Sequence, residues 1–267
     1  MACPLVFLDL DGTLIGPSAD VHPALWPALD AARDAGTVLS VCTGRPAGGV
    51  AGRLAAKLGP DTPHIFHGGA GVLTGNGGLL RAEAMPVAAL KALLDRARRE
   101  GHTFELYTPT TLFAERDTRL YRQHQTLLGF AGRFADLAAL IEREPIIKAQ
   151  WVTEDDAVAR QLLAELPEGC FGAIADSHAM PGAHFLTLTR QGVDKGDAAR
   201  FVAARLGVDL ADCAAIGDAA NDLPVLEAVG HPFVMGDAPA ALRQRFPTVP
   251  TVHEHGVRAA LQQLSQR

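Results

Sequence analysis

The sequence predicts an α/β protein: a parallel-sheet core domain interrupted by an inserted α+β domain. Three observations predict it. Short apolar runs alternate with helical periodicity at both ends of the chain. The middle third has another style, with more strand-like runs and fewer helices between them. The length, 267 residues, is enough for two modest domains with a core each. The expected boundaries are 1–80 and 190–267 for the core domain and 81–189 for the insertion.

The elements follow in order. Leu5-Val6-Phe7-Leu8 is an uninterrupted apolar run of the kind found in buried parallel strands. Leu25, Leu29 and Ala32 recur at helical spacing, with Pro23 and Pro27 near the start and Gly36 placed to end the helix. Residues 37–42 form a second strand and 50–58 a second helix. His64-Ile65-Phe66-His67 reads as a third strand of the same parallel sheet, ending in Gly68-Gly69-Ala70-Gly71. In the middle, helices are expected over 87–99, 118–128 and 155–166. Strands are expected over 103–107, 111–114, 146–152, 171–175 and 184–188, in an antiparallel or mixed sheet. The first style then returns, with helices at 196–206, 223–229 and 239–246 and strands at 213–216 and 232–235.

Composition limits the function. Hydrophobic residues make up 48% and charged residues 20%, and the formal charge is −6. A general nucleic-acid binder needs clustered Lys and Arg to neutralise phosphates, so the charge argues against that class. A small phosphorylated ligand is not, because a metal and a few cations can dominate one pocket. Cys3, Cys42, Cys170 and Cys213 are scattered without a paired spacing, which argues for reduced thiols rather than a zinc site. No apolar stretch nears the roughly 20 residues of a membrane helix, and the N-terminus has no signal-peptide pattern. The expectation is a soluble cytoplasmic protein without nucleic-acid or membrane partners.

Four short segments carry chemistry, each just past an expected strand or opening a helix. Asp9-Leu10-Asp11-Gly12-Thr13 puts two carboxylates on one side of a strand end, where open parallel sheets bind ligands. Their mutual repulsion calls for a cation. Thr43-Gly44-Arg45 offers a hydroxyl, a flexible backbone and a fixed cation to a phosphate oxygen. Lys195 stands at a helix N-terminus, where its charge opposes the macrodipole unless anions are near. Gly217-Asp218-Ala219-Ala220-Asn221-Asp222 adds two acids and an amide at another strand end. The oxygen-only set Asp9, Asp11 and Asp218 suits a hard ion such as Mg2+.

In this order, DxDGT, then Thr, then Lys, then GDxxND, the segments resemble the haloacid dehalogenase-like phosphatase superfamily. The resemblance covers nearly the whole chain. About 150 residues separate Thr43 from Lys195, which is similar to the Cof-type branch with its large cap between the second and third motifs. The resemblance implies a Rossmann-like core with an inserted α+β cap, and a Mg2+-dependent phosphatase for a small phosphorylated metabolite such as a sugar phosphate. It implies Asp9 as nucleophile and Asp11 as general acid/base. Thr43, Gly44, Lys195 and Asn221 would bind phosphate, and Asp9, Asp11 (through its carbonyl), Asp218 and Asp222 would form and orient the metal site. Arg45, His67, Lys148, His178 and His184 are candidate substrate contacts. Gly68, Thr187 and Asp237 depart from the branch's usual Asn, Glu and Asn. A monomer or homodimer is expected. A phosphotransferase or mutase, or a silent binding protein on the same fold, are the competing readings.

Overall fold

The computed structural model describes residues 3–16, 20–176 and 180–266. The chain divides into two compact units: Met1–Arg45 with Val50–Leu80 and Asp194–Arg267, and Arg81–Val193 with Pro46–Gly49.

The first unit is built on a four-stranded parallel sheet. Its strands are β1 (Leu5–Leu8), β2 (Val38–Val41), β12 (Ala214–Gly217) and β13 (His231–Val234), in the order β13-β12-β1-β2. Every residue of β1 and β12 is buried, as expected of central strands covered on both faces. The helices are α1 (Trp26–Asp34), α2 (Gly49–Leu58), α7 (Lys195–Leu206), α8 (Leu223–Ala228), α9 (Ala240–Arg243) and α10 (Gly256–Ser265). Leu5, Phe7, Ala199, Val202, Ala215, Val225 and Val234 share one apolar cluster, so segments from both ends of the sequence complete a single core. The α/β fold with a parallel-sheet core is as the sequence predicts.

One element departs from expectation. Strand β3 (Pro63–Phe66) pairs antiparallel with β4 (Gly71–Thr74), and with β5 (Leu79–Ala82) they form a separate three-stranded sheet. A single parallel bridge, Cys42 to Ile65, ties β3 to the end of β2. The cause is the short glycine-rich link after Phe66: Gly68 and Gly69 take φ of 68° and 110°, turning the chain straight back into β4. Neither β4, β5 nor α10 was legible in the sequence.

The second unit carries a six-stranded mixed sheet of order β10-β11-β9-β6-β7-β8. Its strands are β6 (Thr103–Tyr107), β7 (Leu112–Ala114), β8 (Arg133–Phe134), β9 (Lys148–Thr153), β10 (Cys170–Asp176) and β11 (His184–Arg190). All neighbours are antiparallel except β7 and β8. Phe104, Leu106, Ala149, Trp151, Leu186 and Leu188 face one core with residues of α3 (Val87–Glu100), α5 (Leu137–Arg143) and α6 (Asp156–Ala164). On the other face, α4 (Arg119–Leu128) sets Tyr121 and Leu128 against Tyr107, Leu112 and Ala114.

Candidate active site

The carboxyl ends of β1 and β12 lie side by side, with Leu8 paired to Ile216. This register brings the first and fourth motifs together, and the Asp9 amide donates to the Ile216 carbonyl at 3.0 Å. Gly12, at φ 81°, lets the chain turn back over Asp218; a Cβ there would stand 2.3 Å from Asp218 Oδ2. Thr13 Oγ1 donates to Asp218 Oδ1 at 3.3 Å. Thr13 is a positioning contact that motif reading did not single out.

Lys195 is the first residue of α7 and is buried to 1% exposure. Its Nζ donates to Asp9 Oδ1 at 2.7 Å and to Asp222 Oδ1 at 2.6 Å. The helix start that looked unfavourable for a lysine is therefore answered by two buried acids. Asp222 Oδ2 accepts from the backbone amides of Asp218 and Ala219, both at 3.0 Å. Both Asp222 oxygens are thus engaged by the protein. Gly69, at φ 110°, packs where a Cβ would meet the Asp194 carbonyl at 2.1 Å, so the loop after β3 seats the N-terminus of α7.

Three carboxylates, Asp9, Asp218 and Asp222, have oxygens within 4.8 Å of one another, and the Lys195 ammonium pairs with Asp9 and Asp222. Burial first, and then Asp222, push the Asp9 carboxyl well above the ordinary range, against the pull of Lys195. The same two causes raise Asp218 to about 6. Burial lowers the Lys195 ammonium, but Asp9 and Asp222 raise it further, so it is held charged. Carboxylates this close repel one another unless they share a proton or a cation. An excess of two negative charges and an all-oxygen donor set fit a hard divalent ion.

The other candidate residues separate into groups. Thr43 is buried at the end of β2, its Oγ1 accepting from the Arg45 amide at 3.1 Å. Gly44 lies beside Asn221: a Cβ on it would stand 3.9 Å from Asn221 Nδ2. The Asp11 carboxylate lies outside the acid cluster. It accepts two hydrogen bonds from Arg45, 2.7 Å from Nε and 2.6 Å from Nη2. That bond, with the Asp11 charge, raises the Arg45 guanidinium above its ordinary value despite burial. His67 is buried with φ 54° and donates its amide to the Arg45 carbonyl. Lys148 and His184 belong to the second unit, on β9 and β11. His178 lies outside the described residues.

The sequence pattern of the haloacid dehalogenase-like hydrolases matches residues 6–261. The chain belongs to that family, in the Cof-type branch its motifs resemble. Among curated relatives, the HMP-PP phosphatase of Cronobacter sakazakii is 25% identical over 250 residues, covering 91% of this hydrolase and 88% of the relative. Among solved structures, a haloacid dehalogenase-like hydrolase from Bacteroides thetaiotaomicron superposes with TM-score 0.83 at 24% identity, covering 97% and 98% of the two chains. A sugar phosphatase of haloacid dehalogenase subclass IIB superposes with TM-score 0.79 at 19% identity, over 98% of each. At these identities the structural matches establish the fold. No helix among the described residues is long and apolar enough to cross a membrane.

Proposed function

We propose that this hydrolase is a Mg2+-dependent phosphatase that frees phosphate from a small cytoplasmic metabolite, such as a sugar phosphate, through an aspartyl-phosphate on Asp9. The observation that carries it is the buried Lys195 ammonium bridging Asp9 and Asp222, with an Asp218 oxygen within 4.8 Å of theirs. Phosphoryl transfer needs positioning and neutralised oxygen charge more than elaborate covalent chemistry, and this cluster supports both. The relatives' phosphatase names support the same reading.

In this mechanism the free Asp9 oxygen attacks phosphorus, forming the acyl-phosphate bond as the ester oxygen leaves. Asp11 gives that oxygen its proton. Asp11 then takes a proton from the water that attacks phosphorus, and the Asp9–phosphate bond breaks to regenerate the carboxylate. Before either step the Asp11 carboxyl must leave Arg45. Thr43 Oγ1, the Gly44 amide, Asn221 and Lys195 hold the phosphoryl oxygens. Asp9, the Asp11 carbonyl and Asp218 would hold Mg2+, which would supply positive charge to offset that of the nucleophile and the phosphate. The second unit is read as the cap that selects the substrate.

The test is p-nitrophenyl phosphate with Mg2+. The account expects turnover that a chelator removes, and a loss of at least about 10³-fold in Asp9→Asn with the fold intact. Turnover retained in that variant would rule out this nucleophile. A phosphorylated product in place of free phosphate, in the presence of a sugar acceptor, would point to the phosphotransferase reading.

A further inference from the structure

The six-stranded sheet of the second unit ends on β10, which pairs with β11 on one side and, among the described residues, with no strand on the other. An edge strand offers unpaired N–H and C=O groups to any strand that reaches it, so proteins blunt their edges with charge, proline, bulges or shortness. The other edges of this chain do so. At the far end of the same sheet, β8 is two residues long and begins on Arg133. β5 carries Arg81, β13 carries Pro232, and β2 is bridged to β3 through Cys42 and Ile65.

β10 has none of these devices. It runs seven residues, Cys170–Asp176, in unbroken register with β11, so no bulge bends it away. Residues 170–175 include no charge and no proline. Phe171 is 56% exposed, and Ala173, on the same face, is exposed as well. Cys170 and Ile174 turn the other way and pack on the apolar core. Gly172 lies so close to that core that a Cβ on it would stand 2.6 Å from Leu166 Cδ1.

The strand's residue sizes and charges suit pairing with a copy of itself. A two-fold axis through Ala173 sets Phe171 opposite Ala175 of the second copy, and Ile174 opposite Gly172, so a large residue meets a small one on both faces. The one charged residue of the strand, Asp176, falls opposite Cys170, and no like charges face each other. An interface about a two-fold axis must complement itself in this way. We propose that two copies of this chain pair antiparallel through β10, about Ala173, and join their six-stranded sheets into one continuous sheet. An interface built on one strand is small, so the expected Kd is on the order of 10 µM.

Sedimentation velocity on the full chain, from about 1 to about 300 µM, brackets that affinity. The mass should climb from that of one chain toward that of two. Ala173→Lys puts two lysines face to face at the axis and should weaken pairing by at least about tenfold, as should Ala173→Glu. Mixed in equal amounts, the two variants should pair again, because opposite charges then meet across the axis. Both changes fall on an exposed position, and thermal melts check that each variant folds. If either does not, Phe171→Lys, which places a charge on the same exposed face and should also weaken the dimer, decides instead. A wild type that stays monomeric throughout, association that continues past two copies, a dimer left intact by folded Ala173→Lys or Phe171→Lys, or a mixture of folded charge variants that fails to pair would overturn the proposal.

Discussion

Two buried side chains of the first unit show how the sequence turns burial into function and into liability. Among the described residues, Lys195 is the one cation that pairs with the acid cluster, and it touches both Asp9 and Asp222. Lys195→Met should lower kcat for p-nitrophenyl phosphate by about 10²–10³-fold, the scale for removing one preorganised charge from a phosphoryl-transfer site. A kcat within about threefold of wild type would leave Lys195 a structural role only. His64 lies within β3, buried against β2. Its Nδ1 accepts from the Val41 amide and Nε2 faces the Gly59 carbonyl, both at 3.0 Å. Burial lowers its pKa to about 4, so the folded protein keeps it neutral while the unfolded chain takes up a proton near pH 6.5. Stability should therefore fall as pH drops from about 6.5 through about 4, by on the order of 3 kcal/mol in all. Urea midpoints measured across that window should show a shallower slope for His64→Asn. Equal slopes would remove His64 from the acid response.

At the scale of elements, the first site depends on a close approach. The loop after β3 can seat α7 only because Gly69 has no Cβ to meet the Asp194 carbonyl. Gly69→Ala should cost about 2–4 kcal/mol through its positive φ and the clash together, seen as a clear drop in melting temperature. An unchanged melting temperature would mean the loop moves aside freely. The same element shows the reach of sequence reading. Strand 103–107 was legible to the residue, because β-branched and aromatic side chains fill it. β3 was legible as a strand, but its partner was not, since the two glycines that make a hairpin there look the same as those of an open loop. The acid set and Lys195 were legible from spacing and from the local conflict of a lysine at a helix start. The Arg45–Asp11 pair was not, because it joins two loops whose relative geometry no periodicity encodes.

For the whole molecule, discontinuity is the governing feature. One apolar cluster joins Leu5 and Phe7 to Val202 and Val234, so the first unit needs both ends of the chain. The second unit has its own cluster, drawn from α3, α5, α6 and its central strands. A fragment of residues 81–193 should therefore unfold cooperatively on heating by itself, followed by circular dichroism. A fragment without a cooperative transition would contradict the two-unit organisation.

The central claim is a covalent intermediate on one carboxylate. The direct measurement is borohydride reduction during turnover of p-nitrophenyl phosphate with Mg2+, followed by peptide mass spectrometry. The account predicts homoserine at position 9, and none when substrate is omitted. Steady turnover with Asp9 unmodified, or with the reduced residue elsewhere, would contradict it.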